Sequence, residues 1–372
     1  MSAVSRAVRL YGTLGFTLLV AAAPILQLCG AMVRPKATPA WPACTLRELG
    51  SGRFTKGVEV QLREASLLTF HIRGIYTETL FELGWLDSPK VHFGRDGWLF
   101  LADELTWEPQ RLVREPPLRA RFLRQLMHVC NRLGVQVLAA IVPDKARVHG
   151  ERLAADFGPR RGLYAQLLAE FAAAGIPAVD LATVFAAHRR ADPGRELYYP
   201  HDTHWSGSGV GFAAQAIQRR LEELGWLVEL AEPQALTPLY YAKDGPCDLA
   251  GVLGFRRGSA VELSLWDRHD GIAVHALAGE GTLPRRQEDA EIALCGTSFA
   301  DQGLAEALSL ALQRRVDGGS VVVAGGPFTG LLDVLGRIER GRLRARVLVW
   351  EFPERSAMDG SWAEPPEFPG SK

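Results

Sequence analysis

An α/β fold built on a parallel sheet is what this sequence predicts, and three observations carry it. Short apolar runs alternate with helical patterns along most of the chain. The runs are apolar nearly throughout: 135–142 is broken only by Gln136. Strands buried on both faces read this way, whereas half-exposed strands alternate in and out. Turn-forming motifs with polar side chains follow several runs directly, at the edge where a parallel sheet gathers its functional groups.

Taken in order, Arg95-Asp96-Gly97 between two apolar stretches predicts a hairpin. A helix is expected over 118–133, a strand over 135–142, a helix over 161–174, a short strand over 178–180 and a helix over 181–190. Phe212, Ala216, Ile217, Leu221 and Leu224 recur at three-to-four spacing, so 210–224 is an amphipathic helix, with Ser206 or Ser208 as its cap. Residues 240–290 carry Gly, Pro and mixed charge, and read as an insertion of short strands. The alternation then resumes: strand 292–295, helix 304–315, strand 321–324, helix 331–339, strand 347–350. On this reading Asp144, Lys145, Ser298, Gly325, Gly326 and Glu351 all fall at the C-terminal edge of the sheet.

A chain of 372 residues, 47% of them hydrophobic, can bury one large core or two moderate ones. Lys plus Arg equals Asp plus Glu, 42 against 42, so no global charge draws the protein to nucleic acid. Residues 10–33 hold no charged side chain, Arg6 and Arg9 precede them, and Arg34 and Lys36 close the run. At about 1.5 Å per residue that is enough to span a bilayer. Residues 1–36 are therefore expected to be an uncleaved signal-anchor helix, with the body exported. A signal peptide cleaved near Ala21-Ala22-Ala23 is the rival. The expected division continues with a linker and leading helical segment over 37–90, a catalytic domain over 91–356 and a loose tail over 357–372. Of the five cysteines, Cys29 sits in the anchor, and Cys130 and Cys295 read as buried thiols. Cys44 and Cys247 fall in loop-like sequence and form the candidate disulfide of an exported chain.

The chemistry centres on the segment Tyr198-Tyr199-Pro200-His201-Asp202-Thr203-His204-Trp205. Asp202 and His204 stand two residues apart on a tight loop before a helix. A carboxylate beside an imidazole fixes its tautomer and stabilises its cation, which is two-thirds of a Ser-His-Asp triad. Ser298, in Gly296-Thr297-Ser298-Phe299 after a strand, is the candidate nucleophile; Gly296 permits a tight turn, and a following helix N-terminus offers amides to an oxyanion. Each has a plainer alternative. Ser298 can cap the downstream helix. His201, Asp202 and His204 can bind a metal, or His204 can be a packed structural residue.

Set side by side, five motifs occur in one order: Gly94-Arg95-Asp96-Gly97-Trp98-Leu99-Phe100, Val142-Pro143-Asp144-Lys145, Asp202-Thr203-His204-Trp205, Gly296-Thr297-Ser298-Phe299, and Trp350-Glu351-Phe352-Pro353-Glu354-Arg355. Together they resemble the AlgJ/AlgX-type alginate O-acetyltransferase family, whose catalytic domain is similar to SGNH hydrolases. The order is permuted: ordinary SGNH hydrolases have the serine block first and the Asp/His block last. The resemblance implies Ser298 as nucleophile, His204 as base and Asp202 as its acid. It implies Tyr199, Trp205, Lys145 and Arg355 near substrate, no cofactor, and Glu351 and Arg355 as an ion pair beneath the site. It also implies a polysaccharide acceptor in the periplasm, an inner-membrane tether, and a membrane O-acyltransferase that supplies acetyl groups. The chain ends soon after Arg355, without the carbohydrate-binding module of AlgX-like members, so it looks closer to the AlgJ-like ones. A periplasmic esterase, or a non-catalytic scaffold of a polysaccharide-secretion complex, remains the alternative.

Overall fold

The computed structural model describes Thr45, Phe54 and residues 67–106, 109–153, 162–276, 282–323, 326–358, 360–362 and 366–368. The expected anchor, Cys29, Cys44 and Gly325 lie outside the described residues. Among the described residues no helix is long and apolar enough to cross a membrane.

The chain divides into two units. The first takes residues up to 87 together with 253–264. In it, helix α1 (Leu67–Glu82) offers Glu78 to Arg256 at 2.5 Å, and Phe81 meets Phe255 edge-on at 5.2 Å. The second unit holds residues 88–252 and 265–372. It opens with the expected hairpin, β1 (Val91–Phe93) against β2 (Leu99–Leu101), antiparallel. Asp96 turns it with φ +55°, a left-handed conformation that Asp tolerates better than most residues.

Helix α2 (Pro109–Leu133) then leads to β3 (Gln136–Val142), the short helix α3 (Lys145–Val148), α4 (Leu163–Ala173), β4 (Ala178–Val179), α5 (Leu181–Ala191) and α6 (Gly207–Glu223). A two-stranded antiparallel ribbon, β5 (Leu236–Gly245) and β6 (Asp267–Ala276), brackets α7 (Asp248–Leu253) and α8 (Ala260–Ser264). Last come β7 (Ile292–Gly296), α9 (Leu304–Leu312), β8 (Val316–Val321), α10 (Gly326–Glu339) and β9 (Val347–Pro353).

The central sheet runs β4-β3-β9-β7-β8, every pair parallel. Period-two geometry sends Leu138, Ala140 and Val142 of β3 to one face and Val137, Ala139 and Ile141 to the other. The first face packs on α5, α6 and α9, the second on α2, α4 and α10, and both are buried. That double burial explains why β3 lacks polar alternation.

Three expectations need correction. The strand expected over 321–324 is β8, five residues earlier at its start. Asp317-Gly318-Gly319 hides it, because Asp317 is buried through its ion pair with Arg337, 2.6 Å away, and a hydrogen bond from Gln287 N–H. Gly318 and Gly319 lie where Arg285 and Arg337 side chains cross them. In place of short strands over 240–290 there are two ten-residue strands, the first of which already starts at Leu236. The tail is not loose where it is described: Trp362 is fully buried, donates from Nε1 to Ser356 O at 2.9 Å, and meets Phe122 edge-on. Aromatic burial outweighs the Pro and Gly content there.

Candidate active site

The Asp202/His204 loop is a closed hairpin before α6. Tyr198 bridges Trp205, Tyr199 N–H donates to His204 O, and Ser206 N–H donates to Leu197 O. Ser206 caps α6, its Oγ accepting from Gly209 N–H. Within the loop Asp202 Oδ1 accepts from the His204 amide at 2.9 Å and lies 2.5 Å from His204 Nδ1. Burial pushes the Asp202 carboxyl up, but hydrogen bonding and charge attraction from His204 hold it well below the usual carboxylate range. With Nδ1 committed, Nε2 is the free nitrogen. It is buried and has no hydrogen-bond partner among the described residues.

Ser298 occupies the turn after β7, half-buried. Phe299, the next residue, packs against the His204 ring at a tilt of 53° with centroids 4.9 Å apart, and its carbonyl accepts a hydrogen bond from Trp205 Nε1 at 2.9 Å. The serine turn and the His204 loop are thus fastened together, although the two blocks are far apart in sequence. The turn is shaped from below by Glu351 of β9. Its carboxylate accepts from Thr297 N–H at 2.7 Å, from Thr297 Oγ1, and from Ala300 N–H at 3.3 Å. A Cβ on Gly296 would strike that carboxylate, so glycine serves here to admit Glu351 rather than to turn the chain. Burial pushes Glu351 up to about 7 despite those hydrogen bonds. The oxyanion donors are also not those of a following helix: α9 starts at Leu304, and Thr297 and Ala300 amides are taken by Glu351.

Four residues expected near substrate have their polar ends engaged within the fold. Lys145 is buried and donates from Nζ to the carbonyls of Leu99, Pro200 and Asp202 at 2.6, 2.8 and 3.0 Å, which fixes the catalytic loop to the hairpin. Burial brings its ammonium down to about 8, against the pull of Glu104 and Asp267. Trp205 is fully buried beside Phe299. Tyr199 is buried, and its hydroxyl accepts from Asp270 N–H. Arg355 lies over the Phe299 ring and pairs with Glu104 at 3.3 Å, not with Glu351. Each has the amphipathic chemistry of a ligand contact, but its polar end is already occupied within the fold.

Sequence reasoning missed Asp248. Its amide donates to Asp202 Oδ2 at 2.9 Å, its Oδ1 accepts from Thr203 N–H at 2.8 Å, and its Oδ2 lies 3.7 Å from His204 Nδ1. Burial, then the Asp202 charge, push its carboxyl up. An acid opening the short helix α7 was the available signal. Its neighbour Cys247 is a buried free thiol bonded to Leu265 O, and the burial of its side chain removes the loop-based reason for pairing it with Cys44. Among the described residues three groups have spacing suited to a metal: His201/Cys247/Asp267, Asp202/Cys247/His269 and Asp202/His204/Asp248. His201 and His204 fall in different groups, each imidazole already engaged with its own carboxylate, Asp267 or Asp202. The His-Asp-x-His reading therefore does not describe one site.

A parallel sheet with a serine turn at one strand end and an Asp-oriented imidazole against it defines an acyl-transfer enzyme of the SGNH type. Residues 91–354 match the family described as SGNH hydrolase-like domain, acetyltransferase AlgX, and the chain belongs to that family; it is an O-acetyltransferase. It is similar to the probable alginate O-acetylase AlgJ of Pseudomonas aeruginosa, 27% identical over 316 residues that span 76% of each chain. It is similar in structure to the O-acetyltransferase domain of Pseudomonas putida AlgJ, with TM-score 0.60 and 26% identity over 75% of this chain and 96% of that one. Pseudomonas aeruginosa AlgX shares the fold at TM-score 0.54, with 19% identity over 71% of this chain and 61% of that one.

Proposed function

We propose that this enzyme acetylates hydroxyl groups of an exopolysaccharide through an acetyl-enzyme on Ser298. The observation that carries the reading is the buried Nε2 of His204, unpartnered among the described residues, with Nδ1 held by Asp202 and the ring packed against the residue after Ser298. An imidazole in that state has one task left to it, which is to accept a proton.

His204 Nε2 takes the Ser298 hydroxyl proton as Oγ bonds to the acetyl carbon of the donor. The donor C–O bond breaks, and the leaving oxygen receives that proton. An acceptor hydroxyl then gives its proton to Nε2 and attacks the acetyl-serine; Ser298 leaves with the proton restored. Asp202 stabilises the imidazolium at each stage. In this scheme the amide of Ser298 itself, free of an acceptor among the described residues, serves the developing oxyanion. No step calls for a cofactor.

The relatives are named for alginate, and an alginate-like polymer is the acceptor class that follows from them. Residues 10–33 and the basic residues before them support export, with the catalytic body in the periplasm and an inner-membrane tether. There a membrane O-acyltransferase would supply the acetyl group. A chromogenic acetyl ester tests the reading, with and without an oligosaccharide acceptor. A transferase moves acetyl to the sugar and turns over faster with acceptor present. Release of acetate alone, indifferent to acceptor, would make the protein an esterase.

A further inference from the structure

His204 and Asp202 stand on the wall of a cleft of about 710 Å³ between the β5–β6 ribbon and the start of α9. Among the described residues, three buried polar atoms on this one cleft lack a hydrogen-bond partner: His204 Nε2, His269 Nε2 and Glu306 Oε2. Buried polar atoms are ordinarily satisfied, so three on one wall mark where a polar ligand supplies the missing partners. Tyr241 lies on the same wall, 53% exposed. Its register partner on β6 is Gly271, and a Cβ there would collide with the Tyr241 ring. The ring is therefore laid flat across the glycine backbone, leaving its other face open. A neighbouring cavity of about 970 Å³ shares Tyr241 and Gln302 and continues along α6 and α9, with room for adjoining sugars.

We propose that Tyr241, His269 and Glu306 form the acceptor subsite, where a pyranose ring lies on Tyr241 and is recognised by its hydroxyls rather than by any carboxylate. This rests on the transferase reading above. The carbon–hydrogen face of a pyranose is apolar and suits an aromatic ring, while its equatorial hydroxyls project outward toward edge groups. The charge balance of the described lining points the same way. Lys243 and Arg285 are outnumbered by Asp248, Asp270, Asp301 and Glu306, and Arg285 is paired with Asp301. Acceptor carboxylates gain no net attraction here, so a uronate must turn its carboxylate away from this wall.

The test measures acceptor kinetics with alginate oligosaccharides and with the same oligosaccharides after carboxyl reduction, which share backbone and linkage. Tyr241→Ala is expected to raise the acceptor KM about tenfold with a much smaller change in kcat, and Tyr241→Phe to restore it. Glu306→Gln should raise the same KM. Gly271→Ala, which displaces the ring without deleting it, should imitate Tyr241→Ala. Carboxyl-reduced acceptors should work at least as well as the native ones, and added salt should not weaken the native ones. A wild-type acceptor KM in Tyr241→Ala would overturn the proposal, as would a roughly tenfold poorer carboxyl-reduced acceptor. If no oligosaccharide takes acetyl while Ser298 still cleaves the ester, the transferase reading itself fails, and the subsite falls with it.

Discussion

The carboxylate of Glu351 accepts the Thr297 amide at 2.7 Å, one residue before Ser298, from a strand end that is otherwise wholly apolar and buried. The turn that presents Ser298 is thus held by a group from the neighbouring strand β9. Glu351→Gln is expected to lower acetyl-ester turnover about tenfold through loss of that hold, with the fold intact by circular dichroism. It should also change the pH dependence of stability. Burial pushes the folded Glu351 up to about 7, above its ordinary value of 4.5. Between those two pH values the folded form keeps a proton that the unfolded form has released, so this group's contribution to stability falls as pH rises through the window. Urea titrations should show wild type losing on the order of 3 kcal/mol against Glu351→Gln between pH 4.5 and 7. Parallel curves would mean that Glu351 is not buried with a raised pKa.

Lys145 binds three carbonyls from the hairpin and the catalytic loop. Lys145→Met keeps the length of the side chain and leaves all three acceptors unpaired. A loss of roughly 2–4 kcal/mol in urea unfolding is expected, with a fall in activity as the Asp202 loop loosens. A direct substrate contact would instead raise KM and leave stability alone.

Two carboxylates flank His204, at 2.5 Å and 3.7 Å from Nδ1. Asp202→Asn removes the nearer charge and allows the wrong tautomer, a change that costs roughly 10⁴ in turnover in serine proteases. Asp248→Asn removes the more distant charge and weakens the hold on Thr203, and should cost about ten- to a hundredfold. The pH–rate profile separates them: Asp202→Asn should recover part of its activity in alkali, where hydroxide substitutes for the base. A larger loss in Asp248→Asn would make Asp248 the orienting acid.

Chelators test the metal alternative. His204 Nδ1 is engaged with Asp202 and the proposed chemistry passes no step through an ion, so dialysis against a strong chelator should leave ester turnover within about twofold of its starting value. Loss of activity, restored by zinc, would assign the Asp202/His204/Asp248 group to a metal instead.

The sheet was legible because β3, β7 and β9 are buried and read as apolar runs, broken only by Gln136 in β3 and Glu351 in β9. Strand β8 was misplaced because Asp317 and two glycines look like a turn until Arg337 supplies the counter-charge. The candidate catalytic residues stood out as an acid, an imidazole and a serine at loop positions. Their supports did not, since Lys145, Trp205 and Tyr199 carry the same chemistry whether they face a ligand or a backbone carbonyl, and only packing decides. Asp248 and Glu306 were passed over for a different reason: an acid in a helix's first turn is common, and only the packing of the 236–276 ribbon beside α9 makes the cleft that both line. Glu351 was the exception, a single charge in an apolar strand, and its place under the site could be read although its partner could not.

The central claim is that Ser298 carries the acetyl group. The direct measurement is peptide mass spectrometry of the protein quenched during turnover of an acetyl ester without acceptor, for wild type, Ser298→Ala and His204→Ala. The account predicts an acetyl adduct on the Ser298 peptide of wild type, discharged when acceptor is added. It predicts no adduct in either variant, and a fall in turnover of at least about a thousandfold in Ser298→Ala. Near-normal turnover in a folded Ser298→Ala protein, or an acetyl group that accumulates on another residue and is discharged by acceptor, would contradict it.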